Sequence, residues 1–370
     1  MSNARAGHTA TLLRDGRVLL LGGGQLDVDD LLISITAAEI FLPSTSTFAV
    51  AGMPCVAREF HTATLLGNGK VLITGGRIFT GYPTWLLATA SAELYDPASD
   101  SFTPTGAMAV PRARHTASLL PDGQVLIVGG DATGSSGAEL YDPIAGTFRV
   151  VRGAALTRVG HTATPLAAGK ILIAGGQGAE DSDVSAVTGA AEIYDPGTRT
   201  FTAVGSMAAP RTGHTASLLA NGKVLVAGGA STPALAIGSL RGGTVPLQSA
   251  ELYDPATAAF TAVAPMATGH IGHAASVLRD GTIAIFGGFK TLLGSQPSYL
   301  GYLGYDSVEI FDPVTSTFIA AGPMPATRFW HSATLLPDGA VLLAGGIGGD
   351  RILPSSTVPA GTLTSAELFR

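Results

Sequence analysis

Arginine and histidine recur along the chain at a fixed spacing that could serve acid–base chemistry or anion binding. In six places an arginine lies three residues before a histidine, and in a seventh place His270 takes the position of the arginine. An unshifted imidazole titrates near neutral pH, so His270 is a candidate general acid or base, with Glu59 as its candidate complement. The repeated histidines are His8, His61, His115, His161, His214, His273 and His331. A catalytic role needs one copy, so we expect this repeated set to be structural and hydrogen-bonded.

Two roles are open to the repeated arginines. A guanidinium group binds carboxylate, phosphate or sulfate through two hydrogen bonds, so several around one opening, including Arg58 and Arg328, would form an anion site. Each repeat also carries a glutamate in a recurring Ala-Glu or Val-Glu motif, and pairing of the arginines with these glutamates would join parts of the fold and leave little net field. The arginines are Arg5, Arg58, Arg112, Arg158, Arg211 and Arg328.

The sharper candidates are residues that break the repeated pattern. Between the arginine and the histidine, repeats one, four and five have small or medium residues that end in glycine. Repeat two instead has Glu59-Phe60, repeat three has Arg114, and repeat seven has Phe329-Trp330. Because the other repeats do without such side chains, we expect these residues to line a binding pocket.

Aromatic residues are concentrated in two of the variable segments between repeated motifs. Tyr299 and Tyr302 lie in the sixth segment, and Phe79, Tyr82 and Trp85 lie in the second. Such segments beside a cavity favour stacking on an apolar, aromatic or sugar ligand. The alternative is that they pack on one another as ordered lids.

The elements that must position these residues are short strands. After each histidine comes a strand, a turn such as Asp15-Gly16 that suits a two-residue hairpin, and a second, largely apolar strand that ends in Gly-Gly. A third strand with Ala-Glu-Leu/Ile-Tyr/Phe follows the variable segment, and an Asp-Pro turn leads to a fourth strand around Thr-Phe. Each repeat is therefore predicted to be one four-stranded sheet.

Seven such units predict an all-β, seven-bladed β-propeller that occupies residues 1–370 as one domain. The repeats begin near residues 5, 58, 112, 158, 211, 270 and 328. The last repeat stops in its third strand at Phe369-Arg370, so we expect a three-stranded seventh blade. Its outer edge is then either open or completed by a longer chain. The longest segments after Gly-Gly predict a tall wall over blades five to seven.

The order of these motifs resembles that of the kelch-repeat family over the whole chain. The amino-acid sequence from the repeated arginine to Gly-Gly resembles that of bacterial multi-kelch proteins. This resemblance implies that the first strand of each blade is innermost and begins at the end where the variable segments emerge. Kelch-type propellers include binding scaffolds, sugar-acid epimerases, thiohydroximate-processing factors and copper oxidases, so function must be argued from the site. A copper-radical oxidase would need a cysteine crosslinked to tyrosine, and no matching motif surrounds Cys55, so we expect no cofactor.

Composition excludes several other classes of function. Only 13% of residues are charged, the formal net charge is −6, and there is no basic tract, which argues against nucleic acid. No apolar run is long enough for a membrane span. We expect a soluble monomer, cytoplasmic if Met1 is the natural start, although the compartment is otherwise unknown. Acidic clusters at Asp27–Asp30 and Glu180–Asp183 are more typical of solvated loops than of calcium sites.

Two functional hypotheses remain. The first is a module that binds a small molecule or peptide at an arginine-rimmed channel mouth. The second is an enzyme of isomerase, cyclase or lyase type that acts on a small apolar or carboxylated molecule through His270. Convergence of His270, Glu59 and an aromatic residue in one closed pocket would indicate the enzyme.

Overall fold

Seven antiparallel sheets surround a central channel in a computed structural model of the chain. The structure describes residues 1–26, 32–81, 85–131, 137–153, 158–178, 186–232, 246–293, 300–351 and 361–370. The first strand of each blade contacts the first strands of the two neighbouring blades, and the contact between blades seven and one closes the circle. The predicted seven-bladed propeller is confirmed.

Blades one to six each have four strands, in sheet order first, second, third, fourth. The strands of blade one are Thr9–Leu12, Val18–Leu21, Ala38–Leu42 and Thr47–Val50. Those of blade two are Thr62–Leu65, Val71–Thr74, Ala92–Asp96 and Ser101–Pro104. Those of blade three are Thr116–Leu119, Val125–Val128, Ala138–Asp142 and Thr147–Val151. The strands of blade four are Thr162–Pro165, Ile171–Ala174, Ala191–Asp195 and Thr200–Val204. Those of blade five are Thr215–Leu218, Val224–Ala227, Ala250–Asp254 and Ala259–Ala262. Those of blade six are Ala274–Val277, Ile283–Phe286, Val308–Asp312 and Thr317–Ala321.

The seventh blade has three strands, as the sequence predicts. These are Ser332–Leu335, Val341–Ala344 and Ala366–Phe369, and the last is the outermost described strand of its sheet. Residues 1 to 4 do not add a fourth strand. The backbone amide of Ser2 instead donates to Glu39 in blade one.

Apolar second strands form the cores between neighbouring blades. Val18–Leu21 is buried along its whole length, and Leu19 and Leu21 pack with Val71 and Ile73 of the next blade. Burial on both faces explains why these strands are continuous apolar runs and not alternating ones. The turn before each of them needs a left-handed residue, which Gly16 provides in blade one with φ 86°.

Several segments that follow Gly-Gly form small sheets of their own. Their strands are Gly24–Leu26 with Leu32–Ser34; Arg77–Gly81 with Trp85–Ala88; Phe289–Leu293 with Leu300–Gly304 and Asp350–Arg351; and Ile347–Gly348 with Gly361–Thr362. The described wall therefore runs from blade six through seven and one to blade two. The part of the prediction that concerns blade five falls on residues 233–245, outside the described residues.

The described residues include one short 3-10 helix, Ala167–Gly169. Among the residues that the structure describes, no helix has the length and apolar character needed to span a bilayer.

Candidate functional site

The repeated arginines lie inside the blades and do not rim the channel. Each is at most 2% exposed, donates a hydrogen bond to the carbonyl of the first glycine in its Gly-Gly pair, and lies 2.7 to 3.2 Å from the third-strand glutamate of its own blade. The pairs are Arg5–Glu39, Arg58–Glu93, Arg112–Glu139, Arg158–Glu192, Arg211–Glu251 and Arg328–Glu367. A buried guanidinium needs a counter-charge, and the glutamates provide it. The arginine-rimmed mouth is therefore corrected to a column of internal ion pairs, in which Arg58 and Arg328 take part.

The glutamates also accept hydrogen bonds from the segments that connect neighbouring blades. The backbone amide of Ala208 donates to Glu251 at 2.8 Å, and that of Cys55 donates to Glu93 at 2.8 Å. Both donors lie in the segments that cross from one blade to the next. The repetition of the glutamate thus has a structural cause.

In blade six, His270 occupies the arginine position and makes the equivalent contacts. Its Nδ1 lies 2.6 Å from the carbonyl oxygen of Gly287, and its Nε2 lies 3.1 Å from Glu309 Oε1. Burial would raise the pKa of Glu309, but hydrogen bonds from His270 and from the backbone amides of Ala267 and Thr268 bring it below its usual value. Glu59 is wholly buried in blade two beside Arg77, with 3.4 Å between Oε1 and Nε. The two candidate catalytic residues are not brought together, so their catalytic role stays a prediction without support from this arrangement.

Replacement of His270 by arginine is expected to leave the stability nearly unchanged. The six other blades hold an arginine between the same glycine carbonyl and glutamate, so His270→Arg should shift the free energy of unfolding by less than about 1 kcal/mol. The thermal unfolding midpoint measures this directly. A midpoint several degrees lower would show that the contact between His270 and Tyr305, at 5.4 Å between ring centroids, requires the imidazole.

The repeated histidines form a ring of hydrogen bonds between the innermost strands. In six of the seven, Nε2 lies 2.9 to 3.0 Å from the Thr or Ser hydroxyl that follows the histidine of the preceding blade. The pairs are Thr9–His61, Thr62–His115, Thr116–His161, Thr162–His214, Thr215–His273 and Ser332–His8. The predicted structural role of these histidines is thereby explained, and His331 is the exception.

The residue before each histidine adopts a left-handed backbone conformation. Gly7 has φ 62°, and Gly160, Gly213 and Gly272 have φ between 63° and 64°. At the same position Phe60 has φ 50°, Arg114 has φ 54° and Trp330 has φ 53°. Glycine tolerates this conformation, whereas other residues lose roughly 1–2 kcal/mol in it. Three blades therefore carry a strained bulky residue where four carry glycine.

Backbone hydrogen bonds link these left-handed residues from blade to blade. Phe60 N donates to Gly7 O at 2.8 Å, and Gly7 N donates to Trp330 O at 3.1 Å. Arg114 N donates to Phe60 O at 2.9 Å. The three bulky residues are thus carried on one continuous arc of the channel mouth, and Gly7 separates Trp330 from Phe60.

The side chains of this arc meet at an open pocket of about 320 Å³. The ring centroids of Phe60 and Trp330 are 5.6 Å apart with the ring planes nearly perpendicular, and the guanidinium carbon of Arg114 lies 4.0 Å from the centroid of Phe60. These contacts are an edge-to-face aromatic pair and a cation–π interaction. The lining residues are Gly7, His8, Phe60, His61, Arg114, His115, Gly160, Gly272, His273, Trp330 and His331.

The other predicted binding residues lie elsewhere. Phe329 is 1% exposed and packs against Phe289 and Tyr302, at 4.7 and 5.1 Å between ring centroids. Burial raises the pKa of the Tyr302 hydroxyl to about 12. These aromatic residues form the apolar core under the wall, as the lid alternative predicts. Tyr299, the side chain of Trp85 and both acidic loop clusters lie outside the described residues.

Sequence reasoning missed the histidines of the pocket. Repetition made them structural candidates, yet five of them also line the cavity because the innermost strands begin at the mouth. One signal was available in the sequence. The position after the histidine is Thr or Ser in six repeats and Ala274 in the remaining one.

Comparisons with known proteins agree with the fold. No family model matches the chain. The chain is 25% identical to human Kelch-like protein 34 over 159 residues, which are 43% of this chain and 22% of that protein. It is 36% identical to galactose oxidase of Gibberella zeae over 126 residues, which are 32% of this chain and 18% of that protein. A fungal alcohol oxidase of the AA5 family, solved in complex with copper, superimposes on 93% of this chain and 70% of its own with a TM-score of 0.69 and 16% identity. The chain is a seven-bladed β-propeller, and it spans less than a quarter of the length of the two curated relatives that its sequence resembles.

A copper site does not fit the described part of this propeller. Cys55 is exposed, and its backbone amide is bound to Glu93. Within the described ranges, no group of three or more His, Cys, Asp and Glu side chains could hold a metal ion. Four of the five pocket histidines direct Nε2 to a hydroxyl on the first strand of the preceding blade.

Proposed function

We propose that this propeller binds a small aromatic carboxylate in the pocket formed by Trp330, Phe60 and Arg114. The observation that carries the proposal is that these three residues occupy left-handed positions where four other blades have glycine. Strain of this kind persists only where the surrounding structure enforces it, and it is concentrated at binding and active sites.

The chemistry of the three side chains selects the ligand class. Trp330 and Phe60 offer aromatic surface to a flat apolar group, and both are only partly buried. Arg114 lines the same pocket and carries a positive charge, which suits a carboxylate. A cavity of about 320 Å³ lies at the small end of ligand pockets, so a single-ring molecule fits better than a peptide.

The geometry favours binding over catalysis. His270 and Glu59 do not line the pocket, and the pocket is open rather than closed. General acid–base chemistry needs a titratable group within hydrogen-bonding reach of the reacting atom. The enzyme hypothesis built on His270 therefore has no support here.

Trp330→Gly is expected to abolish most of the binding without unfolding the protein. Glycine removes the aromatic surface but relieves the left-handed strain, so the free energy of unfolding should stay within about 1 kcal/mol of the wild type. Benzoate is the probe, and a ligand-observed NMR titration at low ionic strength gives its dissociation constant, on the order of millimolar for so small a molecule. We expect at least tenfold weaker binding in the variant.

Matched controls separate charge from contact area. Arg114→Gly should weaken benzoate but not neutral benzamide, whereas Arg149→Ala, which changes an exposed arginine on the outer strand of blade three, should affect neither. Equal benzoate affinity in the wild type and in Trp330→Gly would refute the proposal, and so would a wild type that does not bind benzoate.

A further inference from the structure

The hydrogen-bonded histidine ring is interrupted at one seam, between blades six and seven. The residue whose hydroxyl would face His331 is Ala274, so the contact that exists at the other six seams cannot form. Among the described residues, neither ring nitrogen of His331 has a hydrogen-bond partner. The other ring histidines have their Nε2 bonded.

His331 is buried, yet it belongs to the pocket wall. It is 8% exposed, lines the cavity, and follows Trp330 directly in the chain. Both ring nitrogens are closed to solvent, and a buried imidazole nitrogen without a partner costs roughly 1–3 kcal/mol, so a hydrogen-bonding group that reached Nε2 at this seam would lower that cost.

The imidazole is neutral over the physiological pH range. Burial and the positive charge of Arg328 lower the pKa of His331 to about 3. A neutral imidazole has one nitrogen that accepts a hydrogen bond and one that donates. It is therefore matched to a neutral polar group such as a hydroxyl and not to a second carboxylate.

We propose that His331 hydrogen-bonds to a hydroxyl group of the ligand, so that the preferred ligands are hydroxylated aromatic carboxylates. This inference rests on the proposed function, in which Trp330 and Phe60 contact the ring and Arg114 contacts the carboxylate. The ligand hydroxyl takes the place of the threonine or serine hydroxyl that bonds to the histidine at each of the other six seams.

The sharpest test restores the missing hydroxyl from within the protein. Ala274→Ser should occupy Nε2 of His331, as Ser332 does for His8 at the next seam. Serine is preferred to threonine because residue 274 lies opposite the large Phe286 in the strand ladder. The probes are benzoate, 3-hydroxybenzoate and 4-hydroxybenzoate, each titrated by ligand-observed NMR.

In the wild type we expect at least one hydroxybenzoate to bind roughly three- to tenfold tighter than benzoate, which is the range of one net hydrogen bond. In Ala274→Ser this preference should disappear while benzoate affinity stays unchanged. Thr162→Ala is the matched control, because it frees His214, which does not line the pocket, and it should keep the preference.

The outcomes separate this inference from the proposed function. Benzoate binding without any gain from a hydroxyl, or a gain that survives in Ala274→Ser, would overturn the role of His331 and leave the aromatic carboxylate site standing. Failure of all three probes to bind the wild type would overturn both.

Discussion

Glu251→Gln is expected to destabilise the protein by about 3–5 kcal/mol, because it leaves a buried guanidinium without its counter-charge. Arg211 is wholly buried, and its Nη2 lies 2.9 Å from Glu251 Oε1. Burial lowers the pKa of Arg211, and the carboxylate of Glu251 opposes that change. The amides of Ala208 and Ala209 also donate to this carboxylate, so its charge stabilises both the blade and the connection that enters it.

Urea unfolding at pH 7 measures the effect, and an exposed ion pair provides the control. Lys170 and Asp195 lie 3.0 Å apart with side chains 44% and 30% exposed. Lys170→Ala should cost less than about 1 kcal/mol, since solvent screens such pairs. Similar losses for the two variants would mean that the internal column contributes no more than a surface salt bridge.

Internal repetition made the fold readable from the sequence. Seven copies of the same motif predict the strand order, the hairpin turns and the three strands of blade seven, because each copy forms the same kind of sheet and packs against its neighbours in the same way. The bulky departures at Phe60, Arg114 and Trp330 could be found in the same way. They stand where the backbone conformation favours glycine, and the aligned copies reveal that preference without coordinates.

The direction of the arginine side chains could not be read from the sequence. A guanidinium at the start of an innermost strand can reach the channel or turn back into its own blade, and both arrangements have the same spacing. The choice depends on the carbonyl of the first Gly-Gly residue and on the third-strand glutamate, which meet only in the folded blade. His270 also points into its own blade, where its Nδ1 lies 2.6 Å from the carbonyl oxygen of Gly287, and its spacing in the sequence did not reveal that direction either.

Acid is expected to unfold the propeller steeply between about pH 6.5 and pH 3. Burial and neighbouring positive charge lower the pKa of His115, His214 and His331 to about 3, whereas an unfolded histidine titrates near 6.5. The folded state therefore binds fewer protons than the unfolded state in this window. Its stability is fully present above about pH 6.5 and is lost as the pH falls.

Each of these three histidines contributes about 1.4 kcal/mol per pH unit in that window, so together they contribute about 4 kcal/mol per unit. Urea unfolding at pH 7, 6, 5 and 4 gives the slope. His214→Gln removes one titrating group at a position that does not line the pocket, and the amide can still meet the hydroxyl of Thr162. The slope of the variant should be smaller by about 1.4 kcal/mol per pH unit. A wild-type stability that is flat from pH 7 to pH 4, or a slope unchanged in His214→Gln, would mean that the ring histidines take up protons without unfolding the protein.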